Sequence, residues 1–205
     1  DLLLLAGGVL LAWAGAMALQ RLPVFPLKQL VVAAPLEQVS RAQIEHTART
    51  ALSGNFFTVN LEAAQAAFER MPWVRVASLR RLWPDGIELE LEEHRAAARW
   101  TPQEGEARLV NTRGEVFAAV TRESLPAFAG PEGSSPRVLA RYQEFSESLT
   151  AIGRKPVAIH LSAREAWQLK LDDGVLLELG RDQPKHPLAE RLTRFTTHYA
   201  AASSS

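Results

Sequence analysis

The chain has no cysteine in its 205 residues. That removes disulfides, thiolate catalysis and cysteine-ligated metal together, although it locates nothing, because an oxidising compartment permits disulfides without requiring them. Excess charge is missing as well: 23 basic residues balance 23 acidic ones. No electrostatic pull toward nucleic acid follows, and no small-molecule substrate or cofactor is indicated. Of the metal and catalytic signatures, none is present. His46, His94, His160, His186 and His198 lack the paired helical spacing of a zinc site. There is no Gly-x-Ser-x-Gly elbow, no Ser-x-x-Lys and no phosphate-cradling glycine loop. A non-enzyme with no cofactor is expected.

What the chain does have begins at its front. Residues 2–19, LLLLAGGVLLAWAGAMAL, carry no charge, and 18 residues of helix are about 27 Å long, close to one bilayer core. A membrane span over residues 1–22 is expected; a cleavable secretory signal is the alternative, since the Ala14/Ala16 and Ala16/Ala18 spacings suit signal cleavage. Gly8, Ala12 and Ala16 recur every four residues, the spacing that lets two helix backbones approach closely.

Pro23 and Pro26 end the span and lead into a strand over residues 27–32. Ser40 and Gln43 have the form of a capping box opening a helix over residues 40–53. Asn60 caps a second helix, whose Leu61, Ala64, Phe68 and Met71 form one apolar stripe before Pro72. A hairpin follows: Val74 and Val76 alternate with Arg75, a bulge is expected near Ala77 and Ser78, and Pro84-Asp85-Gly86 supplies the turn. Ile87, Leu89 and Leu91 then face the core. Glu88, Glu90, Glu92 and Glu93 read as a solvated sheet face rather than a carboxylate site, because neighbouring carboxylates repel. Arg75, Arg80 and Arg81 read as edge protection or as an anionic-ligand patch.

From Trp100 onward the texture changes to short strands with glycine turns, at 108–111, 115–120 and 125–128. A helix over 136–152 buries Val138, Leu139, Tyr142, Phe145 and Leu149. A three-stranded meander follows, turning at Asp172-Asp173-Gly174, and a last amphipathic helix spans 184–199 with Leu188, Leu192 and Phe195 on one face. The fold class is therefore α+β: a single N-terminal transmembrane helix (1–22), a strand-helix-helix-strand-strand domain (23–98), and a mixed β-domain with flanking helices (99–205).

This order, carried by FPLKQLVV, SGNFFTVNLEAAQAAFERMPWVRVASLRRLWPDGIELELEEHRAAARW, VNTRGEVF, LPAFAGP, AREAWQLKLDDGVLLELGR and LAERLTRF, resembles the FtsQ/DivIB family of bacterial division proteins, whose first extramembrane domain is a polypeptide-transport-associated (POTRA) domain. The resemblance implies a single-pass inner-membrane protein at the division septum, N-terminus cytoplasmic, with most of the chain periplasmic. It further implies a non-catalytic scaffold that holds FtsB and FtsL and, with them, the septal peptidoglycan synthase FtsW and FtsI, with FtsK as a partner on the POTRA side. By the same resemblance, Val76, Leu79 and Arg81 belong to a recruitment segment, and Arg164 matches an arginine that meets an acidic residue of FtsB. Family members continue past the last helix into a final strand of the kind Val-Asp-Leu-Arg-Tyr, which this sequence lacks. The alternative is a POTRA-type chaperone or transport module acting by strand addition.

Overall fold

The computed structural model describes residues 2–21, 29–33, 35–102 and 104–203. The chain folds as two compact units, Asp1–Glu93 and His94–Ser205.

The first unit opens with α1 (Leu2–Arg21). Its described side chains run from Ala6 to Ala18 and are all exposed except half-buried Gly7. Among the described residues, no helix is long and apolar enough to cross a membrane. The expected span thus rests on the sequence; its ends, Asp1 and Leu22, lie outside the described residues, as do Pro23, Pro26, Leu27 and Lys28 of the expected junction and strand.

Next come β1 (Gln29–Val32), α2 (Arg41–Ala51), α3 (Leu61–Glu69), β2 (Val74–Leu82) and β3 (Gly86–Glu93). Both helix starts are capped as expected. Ser40 Oγ accepts from the Gln43 N–H while Gln43 Oε1 accepts from the Ser40 N–H, and Asn60 Oδ1 accepts from the Ala63 N–H. The sheet order is β1-β3-β2, with β1 parallel and β2 antiparallel to β3. Ile44, Phe68, Val74, Ala77, Leu89 and Leu91 bury one face of it under the two helices.

Two details correct the sequence reading. The bulge lies between Val74 and Val76, not at Ala77 and Ser78. Val74 and Ala77 are both buried, an odd separation that strict alternation forbids, so one extra residue is inserted between them and Val76 turns outward at 39% exposure. The second correction concerns Glu93, which is not simply solvated. Its carboxylate accepts from the N–H groups of Glu37, Gln38 and Val39 at 2.8, 2.9 and 2.6 Å, pinning the segment before α2 to the end of β3.

The second unit is a seven-stranded mixed sheet with two helices. In chain order it contains β4 (Ala96–Pro102), β5 (Arg108–Asn111), β6 (Val116–Phe117), β7 (Ala127–Gly130), α4 (Ser135–Thr150), β8 (Pro156–Leu161), β9 (Ala166–Leu171), β10 (Leu176–Arg181) and α5 (Leu188–Ser203). The spatial order is β10-β9-β8-β7-β4-β5-β6, and β7 lies parallel to both of its neighbours. Trp100, Phe128, Phe145, Leu149, Leu161, Trp167, Leu188 and Leu192 fill the core. Strand β4 went unread in the sequence, because alanines at 96–98 carry little strand signal; Ala98 and Trp100 nonetheless face inward. At Gly114 (φ +84°) a Cβ would meet Pro136 Cα at 2.7 Å, so glycine alone lets this turn approach the start of α4. The Ser135 hydroxyl donates to the Gly114 carbonyl at 2.7 Å and closes the contact.

Candidate docking surfaces

Strand β2 is an edge of the first unit's sheet. In an antiparallel pair, alternate residues turn their main-chain groups toward the partner strand and away from it. Leu89 gives its carbonyl to the Ala33 N–H on the β1 side, so its partner Leu79 faces away from β3. The Ala77 N–H, two residues back, likewise leaves the ladder and donates to Glu69 Oε1 at 3.3 Å. The outward row is therefore Ala77, Leu79 and Arg81, with its first N–H already taken by α3. Leu79's side chain packs partly on the core, whereas Val76 projects from the opposite, solvated face.

Arg81 has a second task. Its guanidinium donates to the carbonyls of Phe56 and Val59, both at 2.9 Å, and so ties the loop between α2 and α3 to the end of β2. The other arginines of the hairpin are matched across strands: Arg75 donates to Glu92 at 3.0 Å and Arg80 pairs with Glu88. The hydrogen bond from Arg80 holds the Glu88 carboxyl below its ordinary range. An anionic-ligand patch built from Arg75, Arg80 and Arg81 is thereby used up internally.

Arg164 sits in the tight turn joining β8 to β9 and is exposed. The Ser162 hydroxyl accepts from the Ala166 N–H, and the Glu165 N–H donates to the Ser162 carbonyl, which closes the turn. Glu165 itself adopts φ +63° and receives a forked pair of bonds from Arg137 on α4, at 2.7 and 2.9 Å. Those bonds hold the Glu165 carboxyl below the usual range. Arg137 also lies over the Trp167 ring, 6.0 Å from its centroid. The turn is thus braced by its neighbour, and Arg164 makes no ion pair among the described residues. Sequence reading missed Arg137: a basic residue in the first turn of a helix reveals nothing of the strand turn folded against it.

Gly8, Ala12 and Ala16 share one face of α1 and are exposed. Nothing approaches the Cβ position at Gly8 within 4 Å. Among the described residues, no cluster of three or more metal-ligating side chains forms.

A strand, two helices and a hairpin, with the first strand parallel to the hairpin's second, define a POTRA module; here it is followed by a mixed β-domain. Residues 25–94 match the family model for the FtsQ-type POTRA domain, and residues 98–204 match that for the C-terminal region of cell division protein FtsQ/DivIB. The chain belongs to the FtsQ/DivIB family of cell division proteins. It is 38% identical over 198 residues to cell division protein FtsQ of Burkholderia pseudomallei, covering 95% of this chain and 78% of that protein. To FtsQ of Nitrosospira multiformis it is 38% identical over 183 residues, 86% of this chain and 74% of the relative. The Vibrio cholerae FtsQ is 34% identical over 203 residues, with coverage of 96% and 74%.

Proposed function

We propose that the chain is a non-catalytic scaffold of the divisome. In this reading α1 is a single membrane span within residues 1–22, the N-terminus is cytoplasmic, and the POTRA unit (23–98) and β-domain (99–205) lie in the periplasm at the septum. The scaffold holds FtsB and FtsL, gathers and regulates the septal peptidoglycan synthase FtsW/FtsI, and meets FtsK through its POTRA unit. The observation that carries the reading is a division-family fold whose β2 edge keeps outward main-chain groups at Leu79 and Arg81 while Arg164 stands exposed on a braced turn. Residues 2–19, uncharged throughout, support the span. Gly8, Ala12 and Ala16 are its face for packing against another helix.

An edge strand accepts a partner strand through main-chain hydrogen bonds, and an exposed arginine fixes register by a forked bond to a carboxylate. The test is co-purification from membranes. Leu79→Pro removes one outward N–H and leaves the β3 ladder intact, so it is expected to weaken capture of a POTRA-side partner only. Arg164→Glu is expected to weaken FtsB and FtsL capture by at least tenfold, with the fold unchanged by circular dichroism. Undiminished capture by both variants would remove these surfaces from the reading.

A further inference from the structure

Trp83 is 83% exposed at the tip of the β2–β3 hairpin, although tryptophan is on average a well-buried residue type. Phe57, 48% exposed, belongs to the α2–α3 loop that Arg81, two residues before Trp83, ties to the end of β2 through the Phe56 and Val59 carbonyls. The ring planes of Phe56 and Phe57 meet edge to face at 5.2 Å, with Phe56 buried and Phe57 outward. Two aromatic side chains are thus presented to solvent at one end of the POTRA sheet.

Strand register identifies which end this is. Leu82 pairs with Gly86 across the hairpin, and Gly86 is also the partner of Gln29, the first residue of β1. The aromatic tip is therefore at the end where the chain enters the sheet from α1. Seven residues separate Arg21 from Gln29, a path that reaches at most about 28 Å when fully extended. If α1 spans the bilayer, Gln29, and with it the tip end of the sheet, lies within about 28 Å of the end of the span.

We infer that Trp83 and Phe57 anchor the POTRA unit to the headgroup region of the phospholipid bilayer. Indole suits that layer: its ring is apolar, its N–H is polar, and aromatic belts of this kind mark membrane–water interfaces. Asp85, two residues on in the same turn, limits insertion to headgroup depth, because a carboxylate does not enter the hydrocarbon. The anchor fixes how the outward edge of β2 is held relative to the membrane, and so restricts the directions from which a partner strand approaches it. This inference rests on the proposed span.

The test uses the full-length chain reconstituted in phosphatidylethanolamine–phosphatidylglycerol vesicles, with and without brominated acyl chains, which quench nearby indoles. Half-buried Trp73 and buried Trp100 and Trp167 are present in every variant and give a constant background. Comparing Trp13→Phe with the Trp13→Phe, Trp83→Phe double variant isolates the Trp83 signal, and comparing the unmodified chain with Trp13→Phe isolates Trp13. Loss of most of the Trp83 emission in brominated vesicles is the expected result. A quenched Trp13 with an unquenched Trp83 would overturn the anchor and leave the span standing, with the tip then a surface for protein. An unquenched Trp13 would overturn the span, and the anchor with it.

Discussion

Glu93 shows how much one carboxylate can organise. It ends β3 and takes three successive main-chain N–H groups from the segment before α2, a set that water would otherwise have to satisfy. Hydrogen bonds to an ionised acceptor are about twice as strong as neutral ones. Glu93→Ala is expected to cost about 2 kcal/mol, read by urea unfolding of the first unit; Glu93→Gln should recover part of that, since one amide oxygen accepts where two carboxylate oxygens did. An unchanged midpoint for Glu93→Ala would show that the 37–39 segment holds its place without it. In the sequence, Glu93 is indistinguishable from Glu88, Glu90 and Glu92. Only the return of residues 37–39, more than fifty positions upstream, separates them. The same holds for Arg81, whose acceptors at Phe56 and Val59 come from a different element.

Among the elements, α5 is fastened near its far end by a three-way contact. Tyr199 donates to Asp173 Oδ2 at 2.5 Å, Arg154 donates from Nε to the Tyr199 oxygen at 2.9 Å, and the Arg154 guanidinium also faces Asp173 at 3.4 Å. The bond from Tyr199 holds the Asp173 carboxyl below its ordinary range, and the same bond raises the Tyr199 phenol above its own. A lowered carboxyl pKa stabilises the fold above the unfolded value, and that contribution is lost as pH falls through the lowered one. A raised phenol pKa contributes below the unfolded value and is lost as pH rises through the raised one. The clasp therefore holds across neutral pH and opens at both extremes. Amide hydrogen exchange in the last turns of α5 should be faster in Tyr199→Phe at pH 7, and less dependent on acid than in the unaltered chain. Equal exchange in the two proteins would mean that Leu188 and Leu192, both fully buried, hold the helix alone.

Taken as a whole, the molecule has two cores that do not share their buried residues: one under α2 and α3, the other between the seven-stranded sheet and its helices. Phe68 is fully buried in the first. Phe68→Ala is expected to destabilise that unit by about 3–5 kcal/mol through lost burial and a cavity. Exchange protection in β8 and β9 should stay as it was, giving two separate unfolding transitions instead of one. A single transition shifted as a unit would show that the cores are coupled.

The sequence by itself determined the order of elements apart from β4, both helix caps, the hairpin, the meander and the family. These signals are local: caps act over three residues, strands alternate with period two, and helical stripes recur every three or four positions. Tertiary structure alone decided the place of the bulge, the existence of β4, the tasks of Glu93, Arg81 and Arg137, and which strand is left at the sheet's edge. Each of these depends on what a distant segment brings alongside. Val76 reads as a core residue until Ala77 is seen to be buried instead, and the alanines at 96 and 98 become strand because Asn111 and Val110 of β5 pair with them. Local preference is written residue by residue, whereas register and pairing are settled by the burial of whole faces, which is a property of the folded chain.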